Sequence, residues 1–415
     1  MRNNCKQPLS LYIHIPFCIR KCLYCDFLSG QASKEEKEAY VKKLIEEMDY
    51  WKEVVQKEYF IRTVFLGGGT PTCLEPSQLL QIGRKLSEFS MAGQVLRPED
   101  EDGAEQLSER KENSPEQFFF EFTAEANPGT LTKEKVLSLK EIGVNRISLG
   151  LQSAQEKELK SLGRIHSYKD FLESFELLRG YGFQNINVDL MADIPKQTLE
   201  SYQSTLSSVV ELEPEHISSY SLIVEEGTPF FKMQEEGRLL LPDEETDRQM
   251  YCLTQDILAR RGYERYEISN YAKRGKECCH NLNYWEMGEY LGLGLGASSY
   301  FQGCRFSNTD KMQEYCSLPA NHLQKEKKKL SKKDEMEEYV FLGLRMRKGI
   351  SAEEYQKRFG VEFKKCYQGV LPFLFENHLL AEDKNHGRIY LTDRGIDVSN
   401  VVLAEFLLES VPKGL

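Results

Sequence analysis

The sequence predicts an α/β fold, a partial (β/α)6 barrel followed by a smaller, mostly helical domain of winged-helix-like element order. Two observations support this prediction. Short β-rich runs alternate with helical patterns through the first half, as a parallel sheet requires. Glycine, cysteine and polar clusters follow these runs directly, where parallel barrels build their sites. We predict strands over residues 9–15, 61–66, 118–124, 146–150, 186–191 and 216–223.

The helices between these strands show an apolar stripe of helical period. In residues 34–56 the stripe includes Val41, Leu44 and Met48, the spacing of one buried helix face. Ser33 followed by Glu36 predicts a capping box at its start. Further helices are expected over residues 76–91, 133–142, 168–181 and 199–212.

The remaining chain divides by composition. We expect residues 1–240 to form the barrel core, interrupted by a charged, solvated insertion at about 93–117. Residues 241–325 are expected to connect the domains, first as a helix to about residue 262 and then as an irregular segment. A C-terminal domain is expected over 326–415. The basic stretch 325–333 is interpreted as a solvated loop or helix face.

Composition excludes several classes of protein. A net charge of −11 over 415 residues argues against a nucleic-acid-binding protein. No apolar stretch approaches the eighteen or so residues of a membrane-spanning helix, so no integral membrane segment is expected. Eleven cysteines, an odd number, in a chain without a signal peptide favour a reducing, cytoplasmic location.

Three of those cysteines stand within eight residues, after the first predicted strand. Cys18, Cys22 and Cys25 can give three thiolates to an iron–sulfur cubane, leaving one iron open. That iron can chelate the amino and carboxylate groups of S-adenosylmethionine. A zinc site would need a matching second pair, and a redox pair would leave Cys18 unused. The cluster is therefore the favoured interpretation.

Other motifs fall on the same predicted rim. The three glycines of residues 67–69 let the backbone approach a ligand closely. Glu125 and Asp189 could accept hydrogen bonds from hydroxyls or an amine, and Arg164 could neutralise a carboxylate. Taken singly, each has an ordinary alternative as a turn or a surface side chain. The segment 292–297 matches the residue pattern of a dinucleotide-binding fingerprint but lacks the strand-turn-helix context that the fingerprint requires. We interpret it as a glycine-rich loop beside the site.

With these motifs in place, the chain resembles the radical S-adenosylmethionine superfamily. Within it, the chain is similar to the branch of oxygen-independent coproporphyrinogen III oxidase (HemN) and haem chaperone HemW. The resemblance runs from about residue 11 to the C-terminus and includes segments 266–272 and 280–285. It implies a [4Fe–4S] cluster on the three cysteines. It also implies S-adenosylmethionine contacts from Tyr12, Tyr24, Gly68, Gly69, Thr70, Glu125, Gln152, Arg164 and Asp189.

Two features favour the haem-chaperone side of that branch. Phe27 stands where the decarboxylating oxidases carry a further cysteine. The segment His-Asn-Leu-Asn-Tyr-Trp at 280–285 is typical of the HemW-like proteins, where it is linked to haem binding. His280 is then a candidate axial ligand, with Tyr284 and Trp285 packing on the porphyrin. The alternative for His280 is a hydrogen-bonded structural histidine in a packed loop.

The resemblance implies a chaperone that binds haem, S-adenosylmethionine and the cluster and passes haem to a recipient haemoprotein. An electron donor and a dimer formed on haem binding are its further implied partners. Two enzyme functions stay open: oxidative decarboxylation of coproporphyrinogen III, which Phe27 argues against, and radical modification of haem. One departure concerns the turn at 194–198, where Lys196 replaces the usual glycine. It implies a turn that does not need positive φ, or one with some strain.

Overall fold

A computed structural model describes residues 6–90 and 120–408 of the chain. Six parallel strands lie side by side in chain order and form an open barrel rather than a closed one. The strands are β1 (Gln7–Ile15), β2 (Tyr59–Gly68), β3 (Glu121–Ala126), β4 (Arg146–Gln152), β5 (Ile186–Ala192) and β6 (His216–Ser221). The predicted α/β class and partial barrel are confirmed. Of the predicted third strand, residues 118 and 119 lie outside the described residues, as does the insertion 93–117.

Helices connect the strands and cover the convex face of the sheet. They are α1 (Lys34–Glu58), α2 (Pro76–Ser90), α3 (Lys133–Glu141), α4 (Glu156–Ser161), α5 (Tyr168–Gly180), α6 (Leu199–Val210), α7 (Pro229–Glu235) and α8 (Glu244–Arg260). The capping box of α1 is confirmed, because Ser33 Oγ accepts from the Glu36 amide and Glu36 accepts from the Ser33 amide. Of the described helices, none is long and apolar enough to cross a membrane.

The segment after α8 is not irregular, contrary to the prediction. It adds strands to both edges of the barrel sheet, giving twelve strands in the described part of the chain. These are β7 (Glu264–Arg265), β8 (Asn270–Ala272), β9 (Tyr290–Leu293), β10 (Ser298–Phe301), β11 (Cys304–Asn308) and β12 (Gln324–Lys329), with helices α9 (Cys279–Trp285) and α10 (Met312–Ser317). The strands have only two to six residues each, which weakened their signal in the sequence.

Two smaller predictions in this region are also wrong. Gly292 and Leu293 belong to β9, which pairs with β1, so the segment 292–297 is a strand and turn rather than a loop beside the site. Residues Gln324–Lys329 form the edge strand β12, so this stretch is exposed to solvent as predicted but is a strand rather than a loop or helix; its exposed lysines suit an open sheet edge. Lys196 has φ of 64°, so the strained alternative for its turn is the one the structure shows.

The C-terminal region has its own apolar core, formed by buried side chains between Met336 and Leu408. Its elements are α11 (Lys332–Gly343), β13 (Ile350–Ser351), α12 (Ala352–Phe359), α13 (Phe363–Cys366), α14 (Leu371–Glu376), β14 (Leu380–Asp383), β15 (Arg388–Leu391), α15 (Asp393–Asp397) and α16 (Ser399–Ala404). Three short antiparallel strands pack with the helices. This order agrees with a winged-helix-like arrangement, in which three short strands accompany the helices.

The barrel strands divide their side chains between two faces. One face packs Ile, Leu, Val and Phe against the helices in a single buried core. The other face, which lines the inside of the barrel, carries mostly polar side chains. Along β4, for example, Arg146, Ser148 and Gln152 alternate with buried Ile147, Leu149 and Leu151. The inside of the barrel is therefore a polar cavity rather than a second apolar core.

Candidate functional site

One cavity of about 530 Å³ opens at the carboxyl ends of the six parallel strands. Most of the site residues predicted from the sequence line it: Cys18, Cys22, Tyr24, Cys25, Gly68, Gly69, Thr70, Glu125, Gln152, Arg164 and Asp189. These residues come from five strand ends and their loops, so only the folded barrel brings them together. The volume lies within the range of small-molecule sites. Tyr12 is not among the lining residues, and its hydroxyl donates to His14 Nδ1 at 2.9 Å.

The cysteine loop is held at both ends by backbone hydrogen bonds. The amides of Gly69 and Thr70 donate to Ile15 and Phe17 oxygens, at 2.9 and 2.7 Å, so the glycine loop and the start of the cysteine loop lie side by side. A Cβ on Gly69 would lie 2.7 Å from the Ile15 oxygen, which explains the glycine. Further along, the Leu23 amide donates to the Leu162 oxygen at 3.0 Å.

A chain of side-chain hydrogen bonds connects the first two cysteines. Arg164 donates to Cys22 Sγ at 3.5 Å and to Asn127 Oδ1 at 2.6 Å. Asn127 in turn donates to Thr70 Oγ1 at 2.6 Å, and Thr70 Oγ1 lies 3.5 Å from Cys18 Sγ. These contacts hold the guanidinium of Arg164 and the hydroxyl of Thr70 against the two thiols and fix the thiols at the mouth of the cavity.

All three thiols line one cavity, at its mouth. Among the described residues, no group of three or more His, Cys, Asp or Glu side chains is spaced to hold a single metal ion. A cubane does not need that spacing, because each thiolate bonds a different iron. Burial and the neighbouring Cys22 and Cys18 raise the pKa of Cys25, against a hydrogen bond from the Phe27 amide that lowers it.

Two carboxyl groups face each other deeper in the cavity. Glu125 Oε2 accepts from the Gly68 amide at 3.0 Å, and Asp189 accepts from Asn187 at 2.7 Å. Burial, followed by the Asp189 charge, raises the pKa of Glu125 to about 8. Burial also raises the pKa of Asp189, although hydrogen bonds from Asn187 and Ser218 oppose the shift. Glu125 is therefore largely protonated near pH 7 and can offer the cavity a proton as well as an acceptor oxygen.

Gln152 presents an unsatisfied acceptor to this cavity. Its Oε1 is buried and has no hydrogen-bond partner among the described residues, and the residue has φ of 69°. A buried polar atom without a partner is costly unless a ligand or water satisfies it. Strain at a non-glycine residue is also typical of binding sites. Gln152 is therefore well suited to contact a cofactor.

The candidate haem residues do not reach this cavity. His280 is fully buried inside the barrel, where its Nδ1 lies 2.8 Å from Thr63 Oγ1 and its Nε2 lies 2.8 Å from the Tyr284 hydroxyl. Since Thr63 already donates to Ser10, His280 donates from Nδ1 and accepts at Nε2. Burial, and the nearby Arg146 charge, lower the pKa of His280 to about 3.

These contacts favour the second interpretation of His280, as a hydrogen-bonded structural histidine, because both imidazole nitrogens have protein partners. Haem ligation by His280 stays a prediction. The Tyr284 hydroxyl is used by the same imidazole. Trp285 is half-buried at the junction with the C-terminal region, where the Arg345 guanidinium lies 4.6 Å over its ring.

Sequence reasoning missed several polar residues inside the barrel, chiefly Asn127, Ser148, Asn187 and Ser218. A signal for them existed. Asn187 precedes Asp189 by two positions on one strand, and Ser148 precedes Gln152 by four, so each shares a face with a predicted site residue. Asn127 follows Glu125 by two positions at the end of β3.

Comparison with known proteins identifies the superfamily of the chain. Residues 12–209 match the model of the Radical SAM superfamily, and residues 330–398 match the HemN C-terminal domain. The fold is similar to that of coproporphyrinogen III oxidase (HemN) from Escherichia coli, with a TM-score of 0.78 and 20% identity, covering 97% of this chain and 90% of that chain. Fold and site together define a radical SAM protein.

Two curated relatives narrow the class. The chain is 37% identical over 406 residues to the haem chaperone HemW of Lactococcus lactis, covering 98% of this chain and 99% of the relative. It is 36% identical over 403 residues to the haem chaperone HemW of Bacillus subtilis, covering 96% of this chain and 99% of the relative. The chain belongs to the HemW family.

The superfamily implies a [4Fe–4S] cluster and S-adenosylmethionine, and the residues present fit both. Three thiols share one loop at the mouth of the cavity. The unpartnered Gln152 oxygen, the carboxyl pair and the glycine loop supply acceptors and close backbone approach inside it. Bound there, the cluster would supply a one-electron reduction of the sulfonium cofactor.

Proposed function

We propose that this protein is a haem chaperone that holds a [4Fe–4S] cluster on Cys18, Cys22 and Cys25 and S-adenosylmethionine in the cavity behind them. In this proposal it binds haem, passes it to a recipient haemoprotein and takes electrons from a donor protein. The observation that supports the cofactor part most strongly is the single cavity lined by all three thiols and by the residues predicted for S-adenosylmethionine. The haem part is supported by the relatives, which carry the name haem chaperone.

We further propose that haem lies on an apolar rim at the mouth of this cavity. Ile19, Phe27, Ile165 and Ile223 all line the cavity and are exposed, Phe27 by 59% and Ile223 by 69%. Exposed apolar side chains gathered around one opening are typical of a ligand or partner surface. Arg20 and Lys21 lie on the same rim, where they can pair with the two propionates of haem.

Contact with haem at this rim explains the exposed aromatic side chain of Phe27 better than a role in the protein core does. A large aromatic side chain exposed by 59% contributes little to the core, yet it can cover a porphyrin face. It also agrees with the closed hydrogen bonding of His280, which leaves that imidazole no free nitrogen for haem iron. The propionates, and not a buried axial ligand, would then orient the haem.

A haem titration of anaerobically reconstituted protein tests the proposal. We expect the wild type to take up about one haem per chain at micromolar concentration, and the double variant Phe27→Ser/Ile223→Ser to bind at least tenfold more weakly. Phe373→Ser is the matched control, because Phe373 is 57% exposed on α14 in the C-terminal region. His280→Gln is expected to bind haem like the wild type.

Each outcome separates one part of the proposal from another. No haem uptake by the wild type would contradict the chaperone function itself. Uptake that is lost in His280→Gln but kept in the rim variant would place haem at α9 instead. Light scattering of the same samples reports whether haem binding produces the expected dimer. Formation of protoporphyrinogen from coproporphyrinogen would favour an oxidase.

A further inference from the structure

The polar interior of the barrel continues below the proposed S-adenosylmethionine site. Asn187 on β5 and His216 on β6 lie on the inner face of the sheet and are fully buried. Neither residue belongs to a motif that was assigned to the cofactor. Both nevertheless take part in a continuous chain of hydrogen bonds that starts at the Asp189 carboxylate.

The direction of each bond in this chain is fixed by the chemistry of Asp189. Only the nitrogen of the Asn187 amide can donate to a carboxylate, and it does so at 2.7 Å. The Asn187 oxygen therefore faces His216 Nδ1, at 2.6 Å, and that nitrogen must carry the proton. His216 Nε2 is then an acceptor, and the Tyr266 hydroxyl donates to it at 2.9 Å.

The far end of the chain rests on α9, the helix that closes the lower end of the barrel. The Cys278 amide donates to the Tyr266 hydroxyl at 3.3 Å. The next two amides, of Cys279 and His280, donate to the Glu121 carboxylate of β3 at 2.9 and 3.0 Å. The first turn of α9 is thus bound to the barrel through backbone groups, and it gives the chain a rigid support.

We propose that Tyr266 and His216 are positioning residues for S-adenosylmethionine, acting through Asn187 on the orientation of Asp189. This inference rests on the proposed cofactor binding in the cavity. Without the Tyr266 hydroxyl, His216 loses the donor to Nε2 and can turn or change tautomer. Asn187 could then flip its amide, which would present an oxygen instead of a nitrogen to the carboxylate. Asp189 would lose its shortest hydrogen bond and keep the longer ones from Ser148, at 3.2 and 3.4 Å, which leaves it less well oriented for the cofactor.

The test is the S-adenosylmethionine affinity of Tyr266→Phe, measured by anaerobic equilibrium dialysis on reconstituted protein. We expect Kd to rise roughly tenfold, as is typical for loss of a supporting hydrogen bond at a ligand site, with an unchanged iron content. Tyr263→Phe is the matched control. It also removes one buried hydroxyl hydrogen bond, to the Pro214 oxygen at 2.6 Å, but outside the chain.

A double-mutant cycle with Asp189→Asn distinguishes positioning from general destabilisation. If Tyr266 acts through Asp189, adding Tyr266→Phe to Asp189→Asn causes little further loss of affinity. Full additivity, or equal affinity of Tyr266→Phe and Tyr263→Phe, would overturn the inference. If Tyr266→Phe does not fold, His216→Asn replaces it, since this substitution removes the imidazole nitrogen that accepts from Tyr266 and should raise Kd in the same way. A wild type that binds no S-adenosylmethionine would instead contradict the proposed function.

Discussion

The mouth and the floor of the barrel are both rich in polar groups but use them in opposite ways. At the floor, His280, Glu121 and His216 have their hydrogen-bonding groups occupied by other parts of the protein. At the mouth, three thiols line an open cavity and the Gln152 oxygen has no partner among the described residues. A polar or nucleophilic side chain is therefore a better indicator of a ligand site where the fold leaves it without a protein hydrogen-bond partner.

The largest effect is expected at the mouth. Cys18→Ser, Cys22→Ser and Cys25→Ser should each reduce cluster iron from about four atoms per chain to near zero after anaerobic reconstitution, because no other described thiol shares the loop. Iron analysis and visible absorbance measure the loss. The control is Cys252→Ser, an exposed cysteine on α8. Full iron retention in any of the three variants would show that the cluster is bound elsewhere.

At the floor, the expected loss is in stability. Glu121→Ala leaves two buried amides of α9 without an acceptor, so we expect the free energy of unfolding in urea to fall by about 4 kcal/mol. Glu173→Ala, at an exposed position on α5, should change it by less than about 0.5 kcal/mol. Equal effects of the two substitutions would mean that the floor is not a rigid support.

Glu125 lies between the mouth and the floor, and its titration should make the stability of the protein depend on pH. Its pKa is raised from 4.5 to about 8, so between these values the folded state holds a proton that the unfolded state releases. The wild type should lose stability as pH rises across this window, whereas Glu125→Gln should not. We expect the stability of wild type minus variant to fall by roughly 3 to 4 kcal/mol from pH 5 to pH 8 in urea unfolding. A constant difference would contradict the raised pKa.

The smallest stability change is expected for Gln152→Gly. The residue has positive φ, which glycine adopts without strain, and its Oε1 has no partner to lose among the described residues. The free energy of unfolding should therefore change by no more than about 1 kcal/mol, while the affinity for S-adenosylmethionine falls. A loss of stability with unchanged affinity for S-adenosylmethionine would show that Gln152 has a structural role, like the residues of the floor.

The sequence was a good guide to the mouth and a poor one to the floor. The cysteines, the glycine loop and Glu125 stand in short motifs next to strand ends, so spacing and strand position are enough to predict their meeting. Asn187, His216 and Tyr266 come from three separate segments, and their chain depends on side-chain orientations that no local pattern encodes. His280 shows the same limit, because only its two hydrogen bonds distinguish a buried structural imidazole from a free one.

The edge strands were missed for a related reason. β9 has four residues and two glycines near its end, so neither alternation nor β-branched content marks it. It is a strand because β1 offers it a partner, with Leu11 opposite Leu291. Such pairing is a property of the assembled sheet.

This pairing also bears on the order of assembly during synthesis. β1 carries the cysteine loop, and it hydrogen-bonds to β2 on one side and to β9 on the other. A ribosome must therefore translate beyond residue 293 before the strand that holds the thiols has both of its neighbours. Until then one edge of that strand has no sheet partner, and its unpaired backbone groups are free to pair elsewhere.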